Sequence, residues 1–238
     1  MKKIITLLVL SMTLKAGFAQ KGIFSKDSEG RSADHFMLQI SNDMWLNTPD
    51  SLSDRFRPTS RGFNFQVMLD KSFKSNPKFS VAFGIGISTS NAFFENTRLA
   101  IEGTAPKLLF ERLDTVNRFK KYKLATTFAE IPLEFRYFSR PKTPNKSLKI
   151  AVGAKIGLLV NAHTKGKILQ NRNGNQLNDN IIKVNDKSYF NTTRISATAR
   201  VGYGNFSIFS SYALSTLFKT SVAADIRPLQ IGICLSGL

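Results

Sequence analysis

The chain has 238 residues, with 34 Lys and Arg against 16 Asp and Glu, two His and a single Cys. One cysteine excludes an internal disulfide and a thiolate metal cluster, and the length suits one domain. The formal charge of +18 invites a nucleic-acid partner, but the cations are spread over many turns and loops instead of lining one basic helix, which argues for no nucleic acid.

Lys2 and Lys3 begin a basic segment, Ile4 to Leu14 is a mostly apolar core that includes Ser11 and Thr13, and Gly17-Phe18-Ala19 is a small-x-small step. This pattern predicts a secretory leader over 1–19, too short for the ~20 residues of a spanning helix. Residues 20–33 then form a periplasmic lead-in and 34–238 the folded domain. Loss of Lys2, Lys3 and Lys15 with the leader lowers the charge from +18 to +15. No later stretch is apolar for long enough to cross a membrane as a helix, so a membrane location requires strands.

Eight strands follow, each alternating apolar residues with small or polar ones. The first, about 34–45, sets Phe36, Leu38 and Ile40 on one face. The second, 62–73, sets Phe63, Phe65, Val67 and Leu69 against Asn64, Gln66, Met68 and Asp70. The third, 79–93, sets Phe79, Val81, Phe83, Ile85 and Ile87 against Ser80, Ala82, Gly84, Gly86 and Ser88. In the fourth, 122–138, Ile131, Leu133, Phe135 and Tyr137 oppose Glu130, Pro132, Glu134 and Arg136. In the fifth, 148–163, Ile150, Val152, Ile156, Leu158 and Val160 oppose Lys149, Ala151, Gly153, Lys155 and Asn161. The sixth is 190–203, the seventh 206–216 and the eighth 226–238.

Connections alternate in length. Those at about 46–61, 94–121, 164–189 and 217–225 are long, whereas 74–78, 139–147 and Gly204-Asn205 are short. Outer-membrane barrels have short periplasmic turns and long outer loops. The two-residue turn also places Tyr203 opposite Phe206, both on the apolar face. A soluble β-sandwich would carry Thr, Lys and Glu on its second face, but here that face is crowded with Gly, Ala and Ser, as a narrow lumen requires. The expected fold is an all-β, eight-stranded, antiparallel up-and-down transmembrane barrel.

Ala129-Glu130-Ile131-Pro132-Leu133-Glu134-Phe135-Arg136-Tyr137 and Arg227-Pro228-Leu229-Gln230-Ile231-Gly232-Ile233 resemble strands of the PorT-like outer-membrane β-barrel proteins. The likeness in strand and loop order runs over the whole domain. It implies location and architecture strongly. It implies activity weakly, since some relatives take part in protein secretion.

The inward charges Glu130, Glu134, Arg136, Lys155, Arg194 and Arg200 are the leading site candidates. A turn symmetric about Lys142-Thr143 puts Glu130 opposite Lys155. A buried charge is costly unless paired, so a lumen ion-pair network is expected; a gated path is the alternative. His163 and His35 fall at opposite ends, too far apart to share a metal. Ser88, Ser90 and Glu95 could approach His163 in a lipid-modifying hydrolase, but no motif surrounds them. Cys234 reads as a small interior residue. Asn145 and Asn191 begin N-glycosylation patterns. Trp45, Phe73, Phe79, Phe93, Phe94, Tyr122, Phe138, Tyr189, Phe190, Tyr203, Phe206 and Phe218, all near strand ends, are candidates for two membrane-interface girdles.

In the loop 94–121, Leu108, Leu109, Phe110, Leu113 and Val116 form an apolar group fit for a hairpin extending the third and fourth strands, or for a partner-binding surface. The loop around Asn171-Arg172-Asn173-Gly174-Asn175 reads as polar, with one turn signal. Gly153→Ser is expected to be mild. The functional expectation is a non-enzymatic binding or scaffold role, without cofactor or metal, in envelope assembly or protein secretion. Its partners would be outer-membrane lipid, lipopolysaccharide and envelope proteins. A small passive transport barrel and a lipid-modifying hydrolase are the alternatives.

Overall fold

The computed structural model describes residues 35–102, 105–113, 117–171 and 173–237; the leader 1–19, the lead-in 20–33 and Leu238 lie outside them. In chain order the strands are β1 (Phe36–Leu46), β2 (Arg61–Ser72), β3 (Phe79–Phe94), β4 (Thr97–Ala100), β5 (Leu109–Arg112), β6 (Asn117–Phe138), β7 (Leu148–Asn171), β8 (Gln176–Asn185), β9 (Thr193–Tyr203), β10 (Phe206–Ala213) and β11 (Arg227–Ser236). Eight of them, all but β4, β5 and β8, pair antiparallel with their chain neighbours. β1 then pairs with β11, with Ile40 opposite Ile233, and closes an eight-stranded barrel.

Period-two alternation accounts for the wall. Ile85, Ile131, Val152, Ile156, Leu158 and Ile233 point outward and are exposed, as a lipid-facing belt requires, while the alternate positions are small or polar and buried. Tyr203 pairs with Phe206 across Gly204-Asn205, and Gly204 has φ +60°, which the tight turn needs. Gly153 is held by close approach instead. A Cβ there would lie 2.1 Å from the Leu133 carbonyl oxygen, so Gly153→Ser is a severe change and not a mild one.

The barrel continues past the belt on one side. β6 starts at Asn117, not near Tyr122, and β7 runs to Asn171, not to His163; the two stay paired from Phe138↔Lys149 to Asn117↔Asn171. Beyond the membrane both faces of a strand can be polar, so alternation no longer marks it. The segment expected as a polar loop is a hairpin: β8 folds back on β7, with Lys165 opposite Lys183, through a turn at Asn173-Gly174. The third and fourth barrel strands do not extend together as expected: β3–β6 pairing stops at Phe94↔Tyr122, β6 continues beyond it on β7, and a separate β4–β5 hairpin carries Leu109 and Phe110.

One irregularity reverses a face. Thr127 pairs with Asn161 and Phe128 with Leu159, so Val160 is an extra residue, a β-bulge. Below it the odd-numbered residues of β7 face the lumen; above it, Ala162 and Thr164 are buried and the odd-numbered residues turn outward.

The aromatic expectation needs correction. Phe73, Tyr203 and Phe206 are exposed, but Trp45, Phe94, Tyr122, Phe138, Tyr189, Phe190 and Phe218 are buried. Most of these form an apolar plug with Leu99, Leu108, Leu124 and Ile226 at the long-loop end of the barrel. Trp45 packs edge-on to Phe94 and Phe218, with centroids 5.2 and 5.9 Å apart.

Candidate functional site

The six charged residues singled out from the pattern all lie buried in the lumen, on β6, β7 and β9. They form two groups. Toward the short-turn end, Arg136 Nε donates to Glu134 Oε2 at 2.8 Å, Arg200 Nη2 reaches the same oxygen at 3.2 Å, and Arg136 Nη1 lies 3.6 Å from Asp70. Higher up, Glu130 takes Lys155 Nζ at 3.0 Å and Arg194 Nη2 at 2.6 Å. Glu130 is not directly opposite Lys155. Its register partner is Gly157, and Lys155 sits opposite Pro132, so the pair is diagonal across the ladder. A 3₁₀ turn at Pro144–Lys146 occupies one side of the connection and displaces its midpoint from Lys142-Thr143.

Further polar residues complete this interior and were not singled out before. Asp43 accepts from Ser41 Oγ at 2.6 Å, from Gln230 Nε2 at 3.2 Å and from Ser90 Oγ; Asn64 Nδ2 donates to Gln39 and Gln230. Arg194 also donates to Ser88 and lies 3.9 Å over the Phe128 ring, joining the ionic layer to the plug. Asp43 and Asp70 share the inward face of their strands, and alternation alone could have found them. Four carboxylates, Asp43, Asp70, Glu130 and Glu134, thus stand with five buried cations: Arg136, Lys155, Arg194, Arg200 and Lys149, the last over the Phe138 ring. Two lumen voids, beside Glu134 and beside Arg194, hold about 10 Å³ each, room for roughly one water molecule.

The hydrolase constellation is not assembled. Ser88 and Ser90 face the lumen and are engaged by Arg194 and Asp43, whereas the bulge turns His163 to the outer wall beside Asn161; Glu95 lies 3.6 Å from Arg57. His35 is at the other end, where its Nδ1 donates to the Met68 carbonyl oxygen. Cys234 is a buried thiol in a small cluster with Met37, Met68, Ala82 and Phe209. The Asn191 amide is committed internally, donating to the Thr216 and Phe218 carbonyl oxygens at 2.9 and 2.8 Å.

The loop candidates divide. Leu108 belongs to the plug, Phe110 and Leu113 are half-buried, and Leu109 is exposed; Val116 lies outside the described residues. Leu108 N–H donates to the Val222 carbonyl oxygen and ties this loop to the one after β10. Between them is an open cavity of about 590 Å³, with a floor of Leu52, Leu108, Phe110 and Ile226 and with Arg55, Lys107 and Arg112 at its lining.

The closed antiparallel wall, apolar outside and polar within, is that of an outer-membrane barrel. The family model described as "Outer membrane protein beta-barrel domain" matches residues 14–219, and the chain belongs to that family. Its place is therefore the outer membrane. Among curated proteins none matches the chain. Two solved structures are similar. The attachment invasion locus protein Ail of Yersinia pestis is 15% identical, with a TM-score of 0.36 over 88% of this chain and 98% of that one. The same protein in complex with the heparin analogue sucrose octasulfate is 12% identical, with a TM-score of 0.32 over 84% and 94%.

Proposed function

We infer that this is a PorT-like, non-enzymatic barrel that acts as a binding or scaffold protein in envelope assembly or secretion, through its loop end. The observation that carries the reading is the filled lumen. Buried side chains pair across it from β6 to β9, and the plug closes it above. An interior built this way holds the wall together and offers little room for a solute. The transport alternative has no comparable support.

The loop end offers what a partner needs. The 590 Å³ cavity combines an apolar floor with cations, which suits an apolar side chain flanked by acidic groups on an envelope protein. The exposed Leu109 lies beside it. Removing the whole loop is a poor test, because Leu108 seals the plug. The better experiment is affinity capture from native envelopes with Lys107→Glu and Leu109→Asp together. The reading expects loss of the captured envelope protein with heat-modifiable gel migration unchanged. Full capture by this variant would place the working surface elsewhere, and cleavage of outer-membrane lipid by the purified chain would contradict the non-enzymatic role.

A further inference from the structure

On the outer wall, beyond the apolar belt, strand pairing stacks like charges side by side. Lys123 of β6 stands opposite Lys165 of β7, and Lys165 stands opposite Lys183 of β8. Farther out, Lys121 faces Lys167. Neighbouring strands lie ~4.8 Å apart, and like charges directly opposite one another disfavour the pairing. The row continues toward β2, where Arg61 and Lys123 both lie over the Phe93 ring, at 5.7 and 5.9 Å. The Val160 bulge creates this face by turning Lys165 and Lys167 outward.

The row lacks internal counter-charge. Among the described residues, none forms an ion pair or side-chain hydrogen bond with Lys121, Lys165, Lys167 or Lys183, and Lys123 has only the Asn91 amide oxygen, at 2.6 Å. The His163 imidazole projects from the same wall. These cations point away from the lumen, whose carboxylates are already met by cations of their own.

Position indicates where the anions come from. Val160, exposed beside Thr127, stands at the upper edge of the apolar wall, and Lys123 and Lys165 lie four or five residues beyond. At ~3.3 Å per residue along a tilted strand, that is headgroup depth. We propose that Lys123, Lys165 and Lys183, with Arg61, form a docking face for the phosphate groups of outer-leaflet glycolipid headgroups. This rests on the outer-membrane location and is independent of any partner at the loop end.

The test uses the full chain purified from outer membranes in neutral detergent. The probes are bisphosphorylated lipid A and the same lipid with both phosphates removed. Lipid retained per barrel after gel filtration, quantified by its fatty acids, should favour the phosphorylated form by more than ~10-fold and fall with added salt. The variant Lys123→Gln/Lys165→Gln/Lys183→Gln should lose that preference, while Lys74→Gln/Lys78→Gln/Lys142→Gln, at the short turns, should keep it. Without lipid the first variant should unfold at a higher temperature than the unaltered chain, because the repulsion is gone; lipid A should raise the unfolding temperature of the unaltered chain only. Equal retention of both lipids, or full retention by the first variant, would overturn the proposal. So would displacement of the lipid by inorganic phosphate at equal phosphate concentration, which would make the face a site for free phosphate.

Discussion

Glu130 is the most heavily committed residue of the lumen, with Lys155 and Arg194 on its two oxygens and both partners almost fully buried. Its loss leaves two buried cations, whereas loss of Lys155 leaves Glu130 still held by Arg194. Glu130→Gln should therefore cost about 3–5 kcal/mol in denaturant unfolding of the detergent-solubilised barrel, and Lys155→Met distinctly less. The double variant should cost less than the sum, with a coupling of about 1–3 kcal/mol; simple additivity would show that the two do not interact. The face that each charge occupies was legible from alternation, but its partner was not. Register depends on the shape of the 139–147 turn, which has no simple sequence marker, and a displacement of two residues turns an opposite pair into a diagonal one. Gly153 taught a similar lesson: its small size was legible, yet the reason, contact with the Leu133 carbonyl oxygen, lies on another strand. Gly153→Ala should lower folding yield more sharply than Ala151→Gly, measured as the heat-modifiable fraction.

Among the elements, β7 decides the most. Its lower half is lipid-facing wall, and Arg at Val152 or Ile156 should destabilise the barrel by roughly 2–4 kcal/mol in denaturant titration, least toward the edges of the belt. Its upper half pairs with β6 and β8 and carries the outward lysines. Deleting Val160 removes the bulge and joins Leu159 directly to Asn161, so regular alternation keeps both the register with Phe128 and Thr127 and the outward direction of Lys165 and Lys167. Hydrogen exchange of that variant should then show protection kept over 161–171 and 176–185 as well as over 148–158. Protection lost above Leu159 would mean that the extension depends on the bulge itself. Lower strands were legible because lipid on one side and a narrow lumen on the other impose strict alternation. The upper hairpin was not, since water on its outer face relaxes that constraint and one inserted valine looks like any other strand residue. The aromatics misled for a related reason: strand-end position was legible, but Trp45, Phe94 and Phe218 face a closed interior and pack on one another, not on lipid.

For the whole molecule, charge is partitioned. Inside, four buried carboxylates stand with five buried cations, so most of the surplus behind the +18 total lies outside the lumen. The interior then acts as a brace, and in the proposed role recognition falls to the exterior and the loop end. The central claim, that the barrel is closed and works from its outer end, meets its most direct test in single-channel recording of the purified full chain in planar bilayers. The account predicts insertion, verified by heat-modifiable migration of the recovered protein, with no stepwise conductance in the unaltered chain. Reproducible conductance steps from the unaltered chain, altered in size by Glu130→Gln, would contradict it and make the lumen a path.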